Sequence, residues 1–366
     1  MSRRAIVIGA GLAGSSAAER LAARGWTIEL IERADAPAQG ASGNLAGVLR
    51  PLPSVDDNRL ARLTRAGFLE ACRHFASLTA AGLPLRWAQT GVLHLARDDT
   101  HAATQQRVVA LQQPAADYLR FVDRGEASQL AGWPVTHGGW WFPGGGWVDP
   151  ASLCRANIAR HAVAIKAHYG CRVAEVERRA GLWRAYADGG AVIAEAPVLI
   201  LANATDAGRF TVAAHLPLRA ARGQVSHLPA AAGSAPDIVV CRLGYVTPAI
   251  DGLRCAGATF SLDDGETTLR TADHAENLAR LDFILPGHAK GIQPADLGGR
   301  VGFRPLAPDR LPMVGAVADA TAIEASHPSR PLAEMPRHPG LYVINGFGAR
   351  GIVWSALAGE LLACLI

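Results

Sequence analysis

Apolar positions recur along this 366-residue chain in distinct rhythms, and each predicts its own kind of element. Short all-apolar runs at Ala5 to Ile8 and Val198 to Leu201 suit strands buried on both faces of a parallel sheet. Alternation of apolar and polar positions over Trp87 to Ala96, Gly244 to Pro248 and Leu253 to Thr259 predicts half-buried strands. Cys171 to Arg178 and Trp183 to Tyr186 read as strands of a small antiparallel unit. Helical spacing predicts a helix over Asp56 to Thr79, with Leu60, Leu63, Phe68, Leu69, Cys72, Phe75 and Leu78 on its apolar stripe. Thr104 to Tyr118 and Thr271 to Leu285 read as further helices. Asp149 resembles a catalytic acid at first sight. Pro150 and a helical stretch follow it, however, and an N-cap with proline at the first helical position accounts for both residues.

Glycines punctuate the two ends. The first strand runs into Gly9, Gly11 and Gly14 in the spacing G-x-G-x-x-G. A helix from Ser15 to Arg24 follows, then Gly25 as a stop, a strand from Thr27 to Ile31, and Glu32 at that strand's carboxyl end. Gly9 permits a tight turn, Gly11 lets the backbone approach a pyrophosphate, and Gly14 brings the helix close to the sheet. The helix directs its first amides and positive dipole end at that pyrophosphate, and an acid at Glu32 accepts hydrogen bonds from ribose hydroxyls. This is the pattern of an adenine-dinucleotide site. After Glu32, ADAPAQGASGNLAGVLRPLPS has little period, and a loop of that length in a compact domain is expected to be functional. Its Ala41, Ser42, Gly43, Asn44 and Gly47 offer amides and short polar side chains. The strand ending at Leu201 continues into Ala202, Asn203 and Ala204, which are expected to close over the cofactor. Near the carboxyl terminus, Gly346, Gly348 and Gly351 again put amides at a helix start, suited to a second polar segment of a cofactor.

The fold class expected is therefore α/β: a Rossmann-like dinucleotide domain from residues 1–85, 145–217 and 300–366. An interleaved, strand-rich α+β substrate domain is expected from 86–144 and 218–299. Composition narrows the function classes. Hydrophobic content of 49% and charged content of 19% describe a folded chain. Arg3 and Arg4 before an apolar run sketch a secretory leader, but the glycines interrupt its core. No apolar run reaches the length of a bilayer span, so no membrane is expected. Six scattered cysteines without a C-x-x-C pair argue against zinc or a disulfide framework and fit the cytoplasm. No histidine pair has ligand spacing, so no metal is expected. Net charge is +4, mildly basic, and Arg50, Arg59, Arg62, Arg65 and Arg73 are candidates for a basic face toward RNA, with a solvated helix face as the plainer reading. Trp140, Trp141, Phe142 and Trp147 offer either a stacking surface or interface packing. Oligomeric state is not legible.

The layout of fingerprint, mid-chain Ala202–Asn203–Ala204 and C-terminal glycine turn resembles the D-amino-acid oxidase-like (DAO) FAD oxidoreductases, whose cofactor domain is of the glutathione-reductase type. Segments PAQGASGNLAGVL, LRAARGQVSHLP, VTPAIDGLRCAGATF, DRLPMVGAV and LYVINGFGARGI resemble, within them, the FAD module of bifunctional tRNA 5-methylaminomethyl-2-thiouridine biosynthesis proteins. That resemblance implies an enzyme that removes the carboxymethyl group from 5-carboxymethylaminomethyl-(2-thio)uridine at the tRNA wobble position. The product is the 5-aminomethyl nucleoside. A hydride passes from the amine α-carbon to flavin N5, and water hydrolyses the imine. tRNA is the implied partner; a methyltransferase step is left to another protein or to a longer polypeptide of which this chain is a part, or the modification stops at the amine. FAD is expected to be non-covalent, because Cys241 and Cys255 read as strand residues. The implied cofactor contacts are Gly9, Ala10, Gly11, Ala13, Gly14, Glu32, Arg33, Ala41, Ser42, Gly43, Asn44, Gly47, Val48, Val173, Ala202, Asn203, Ala204, Gly346, Phe347, Gly348, Ala349, Arg350, Gly351 and Ile352. For a substrate carboxylate, Arg304 and Arg350 are the candidate arginine forks, with Tyr245 and Gln224 adding hydrogen bonds. Arg304-Pro305-Leu306 departs from the small or polar residues expected after such an arginine, which touches the substrate more than the FAD. Two other readings stay open: an oxidase of glycine, sarcosine or a D-amino acid, and a non-catalytic RNA-binding flavoprotein.

Overall fold

The computed structural model describes residues 3–231, 234–324 and 331–366. At its centre the strand Arg4–Ile8 lies between Val198–Leu201 and Thr27–Ile31 in a six-stranded sheet. Arg337–Asn345 and then Met313–Ala318 extend it on one side, and Ile165–His168 on the other. All pairings are parallel except that between the two outer strands Met313–Ala318 and Arg337–Asn345. Ile8 registers with both Ile31 and Leu201, so three strands end level. The carboxyl edge of an open parallel sheet is where such folds bind ligands.

Period-two alternation divides the first strand between two layers. Ala5 and Val7 pack among Ala17, Ala18 and Leu21 of the helix Leu12–Ala22 and Trp354 of the helix Gly351–Leu365. Ile6 and Ile8 pack on the opposite face against Trp183 and Ala185 of an antiparallel sheet, Val173–Arg179, Leu182–Ala187 and Val192–Ala196. The first and last helices of the fold meet through small residues. Ser16 Oγ donates to the Ser355 carbonyl at 2.6 Å, and a Cβ on Gly359 would lie 3.0 Å from the Ser16 carbonyl oxygen. The first and last helices thus pack in one layer.

A second, mixed sheet carries Arg120–Val122, Gly139–Phe142, Val92–Leu95, Val239–Cys241, Tyr245–Val246, Leu253–Gly257, Arg219–Pro229 and Ser261–Leu262 in spatial order. Gly298–Leu306 also pairs along Arg219–Pro229, so the boundary expected at 299/300 falls inside a strand of this sheet. The helix Thr271–Ile284 packs on it through Leu278, Leu281 and Ile284. A three-stranded link, Gly47–Leu49, Gly146–Val148 and Trp87–Ala88, runs between the two parts.

Local departures have local causes. The strand expected over Trp87 to Ala96 is two strands, interrupted around Gly91, whose φ is +85° and where a Cβ would overlap the Trp141 ring. The helix expected over Thr104 to Tyr118 is Asp99–Gln112, because the Asp98 carboxylate accepts the His101 amide and caps it earlier. Leu69 is 54% exposed, and the buried stripe of Arg59–Ala80 runs instead through Ala61, Phe68, Ala71, Phe75 and Leu78. Asp149 does cap Pro150–Arg160, accepting the Ser152 amide at 3.0 Å. Trp140 and Phe142 are buried in an apolar cluster that Trp147 packs against, which is the packing role.

The seam between first and last helices gives a test. Gly359→Val should destabilise the fold by about 1–3 kcal/mol through overpacking against Ser16, seen as a lower urea midpoint with an unchanged m-value.

Candidate active site

The level strand ends open into a cavity of 920 Å³ that reaches from Ile8 and Glu32 to Tyr245 and Arg304. At one end the glycine fingerprint shapes it. Gly9 has φ +100°, and a Cβ there would lie 2.7 Å from the Ala202 carbonyl oxygen. A Cβ on Gly14 would overlap the Gly9 carbonyl, so the helix starts in direct contact with the turn. That helix has no side-chain cap, although the Leu12 amide donates to Ser42 Oγ at 3.1 Å. Ala13 lines the cavity beside it. Glu32 is held by two backbone amides: Ala10 N–H donates to Oε2 at 2.8 Å and Ala34 N–H to Oε1 at 3.0 Å. Its remaining lone pairs can accept hydroxyl donors.

The helix Gly351–Leu365 begins at the same cavity, again without a side-chain cap, and Gly351, Ile352 and Val353 line the wall. Two uncapped helix starts of like polarity facing one space favour an anionic guest. The surrounding loops are pinned. Asn345 Nδ2 donates to the Ala204 carbonyl at 2.8 Å, and the Gly348 amide to the Pro305 carbonyl at 2.8 Å. Arg300 donates to the Gln39 and Gly40 carbonyls, each at 2.6 Å, and a Cβ on Gly43 would lie 2.5 Å from its guanidinium. Asn203 Oδ1 is buried without a hydrogen-bond partner in the cavity wall. Two helix starts, an anchored acid and an orphaned side-chain oxygen around one elongated space fit a dinucleotide.

Of the expected cofactor residues, Gly9, Gly11, Ala13, Glu32, Arg33, Ala41, Ser42, Asn44, Gly47, Val48, Val173, Ala202, Asn203, Ala204 and the run Phe347 to Ile352 line the cavity. Ala10, Gly14, Gly43 and Gly346 stand behind the wall and shape the backbone that does. Arg172, Asp206 and Arg209 also line this end, and Arg33 pairs with Asp206. No local motif marks these three; distant segments bring them here.

The far end has another character. Arg50, Arg97, Arg280, Arg304 and Arg350 line it, whereas the acids in the cavity wall, Glu32 and Asp206, lie at the opposite end. Arg304 donates to the Thr259 carbonyl at 3.2 Å, and burial pulls its pKa down. Burial, and then the charges of Arg50 and Arg310, push the Arg350 guanidinium down to about 10, so it remains charged at neutral pH. Among the described residues no carboxylate faces Arg304 or Arg350. His94 is held well below its ordinary range by burial, Arg50, His101 and Arg97. Burial raises the Tyr245 phenol far above its usual range and also raises the Cys241 thiol, so both stay protonated.

Gln224 is placed differently from the expectation. Its side chain is buried away from the cavity, donating to the Arg270 carbonyl and accepting the Arg270 amide, each at 2.8 Å. It is a strut between strand and helix start. Arg222 likewise forms a buried ion pair with Asp273. The helix arginines Arg65 and Arg73 pair with Asp57 and Glu70. Among the described residues no helix is long and apolar enough to cross a membrane.

The chain is similar to known proteins in sequence and in fold. A protein from Aromatoleum aromaticum is 60% identical over 362 residues, and one from Azoarcus sp. is 57% identical over 361. Both are named tRNA 5-methylaminomethyl-2-thiouridine biosynthesis bifunctional protein MnmC. Each match covers 99% of this chain and 56% of the relative, so the chain spans about half the length of these curated relatives. Iminodiacetate oxidase from Chelativorans sp. BNC1 superposes with a TM-score of 0.74 at 26% identity, over 99% of this chain and 95% of its own. Glycine oxidase from Geobacillus kaustophilus superposes with a TM-score of 0.78 at 20% identity, over 100% of this chain and 95% of its own, a likeness of fold alone. The DAO family model, described as FAD dependent oxidoreductase, matches residues 4–365, and with the fingerprint, Glu32 and the second helix start in place, this chain belongs to that family.

Proposed function

We propose that this chain removes the carboxymethyl group from 5-carboxymethylaminomethyl-(2-thio)uridine at the wobble position of tRNA, leaving the 5-aminomethyl nucleoside. The observation that carries the reading is the 57–60% identity, over nearly the whole chain, to proteins named for that modification. The arginine-lined end of the cavity supports it independently, since the group to be removed ends in a carboxylate.

Bound non-covalently, FAD supplies the hydride acceptor. Gly9, Gly11, Ala13 and Glu32 would hold its adenosine and pyrophosphate, and the helix start at Gly351 and Ile352 its other end. Protonated, buried thiols make poor nucleophiles, which supports non-covalent attachment. Arg304, half-buried and lacking a carboxylate partner, anchors the substrate carboxylate. Arg350 and Arg50 add positive charge around the amine. An ammonium is disfavoured there, so the nitrogen gives its proton to water on entry and presents the neutral form that can release hydride. Tyr245 stays a neutral donor beside them. The methylation that completes the modification belongs to a separate polypeptide or to another region of a longer one. Action on tRNA places the protein in the cytoplasm.

The similarity to iminodiacetate oxidase favours a second reading, oxidation of a free N-carboxymethyl amine. Peroxide release with iminodiacetate or sarcosine, and no conversion of tRNA, would select it.

Three outcomes are expected. Cells lacking the protein accumulate 5-carboxymethylaminomethyl nucleosides in digested tRNA, measured by mass; no accumulation overturns the proposal. Arg304→Ala raises KM by about 10- to 100-fold, the worth of a charged hydrogen-bonded pair, without altering the flavin absorbance, and Arg304→Lys restores only part of it. Glu32→Ala weakens FAD binding by about 10- to 100-fold in a fluorescence titration, while acid precipitation of the unaltered protein releases all its FAD to the supernatant.

A further inference from the structure

The mouth of the cavity carries an apolar feature that neither the cofactor nor a carboxylate requires. Leu243 and Phe260 both line the cavity, yet they are 58% and 50% exposed. Single exposed leucines are ordinary. Leu243, however, sits at φ +51°, a left-handed conformation in which a bulky side chain is an outlier costing about 1–2 kcal/mol. Such strain persists only where the surroundings over-determine it, and it clusters at ligand clamps.

The surroundings here are explicit. The Arg242 amide donates to the Gly244 carbonyl at 3.0 Å, closing the turn around Leu243. From the helix Thr271–Ile284, Arg280 Nη1 donates to the Leu243 carbonyl at 3.3 Å and to the Ala258 carbonyl at 2.7 Å. One guanidinium therefore ties together the two segments that bear Leu243 and Phe260. Glu276 holds Arg280 in turn, one helical turn away.

We infer that Leu243 and Phe260 form an apolar clamp for the flat ring bearing the N-carboxymethyl arm, a pyrimidine nucleoside, and that Arg280 positions both. The inference rests on the proposed function and names the part of the substrate that stays at the mouth. The arginines deeper in the cavity take the anionic arm, so the ring attached to it emerges between Leu243 and Phe260. An aromatic face stacks on any base, and Arg97 and Arg280 at the same mouth complement phosphate. The tryptophans that offered a stacking surface in the sequence are absent from the cavity wall.

The test uses the full chain loaded with FAD, following the flavin absorbance as ligand is added. The probes are 5-carboxymethylaminomethyluridine and ringless iminodiacetate. Wild type should prefer the nucleoside. Phe260→Ala should cut that preference about ten-fold, the worth of one base–aromatic contact, and Leu243→Gly about ten-fold, the worth of apolar contact area covered by the ring. Glycine is at ease at positive φ, so Leu243→Gly removes the side chain without endangering the turn. Arg280→Gln should cut the preference too, with partial rescue by Arg280→Lys, which a merely structural arginine would not show. Equal weakening of both probes, or no preference in wild type, overturns the clamp. A clamp-dependent preference without conversion of tRNA would sink the proposed function and leave the clamp standing. Conversion of tRNA with no dependence on Leu243 or Phe260 would do the reverse.

Discussion

No side-chain atom fits between the Gly14 α-carbon and the Gly9 carbonyl. That contact sets the start of the first helix against the end of the first strand. With Ile8 in register with Ile31 and Leu201, the carboxyl ends of three strands and a helix start fall within one small volume. Everything that serves the cavity is hung from this point. Glu32 takes its position from the Ala10 amide inside the same turn. Ala202 and Asn203 close over it from the neighbouring strand, and Asn345 ties the C-terminal turn to Ala204. The last helix can begin at the same cavity because Gly359 and the alanines of the first helix let the two lie side by side.

The cavity that results is electrically graded. Glu32 and Asp206 stand at one end and, at the other, Arg304 and Arg350 without carboxylate partners among the described residues. Buried guanidiniums lacking partners are costly, since burial removes their hydration without returning an ion pair. The fold bears part of that cost at the half-buried Arg304 and Arg350 while pairing Arg222, Arg65 and Arg73 elsewhere. In the proposed reaction, unpaired charge at this end draws a carboxylate in and disfavours an ammonium beside it. The same arrangement explains why Gln224 is no ligand. Its amide satisfies both backbone groups of Arg270 at the start of the helix that carries Arg280.

The cofactor half was legible because its signals are local. A strand, a glycine turn, a helix and an acid lie within about thirty consecutive residues, and each step follows from dihedral freedom or alternation. The buried strand Val198–Leu201 and the Asp149 cap were legible for the same reason. The register of Asp99–Gln112 was not, because one aspartate decided it against a weak pattern. The exposure of Leu69 also escaped the pattern, since which face of Arg59–Ala80 is buried depends on what packs beside it.

By itself the sequence determined the strand, glycine turn and helix at the chain's start and the second glycine turn near its end, because glycine spacing and strand period act over a few bonds. It also marked Arg304 and Arg350, through the segments that carry them. Only the tertiary structure decided which arginines face the cavity and which are neutralised by partners. It alone brought Arg50, Arg97 and Arg280 together from segments separated by up to 230 positions. Whether a guanidinium is a ligand or a strut depends on the carboxylates and carbonyls that folding places beside it, and no local pattern encodes that neighbourhood.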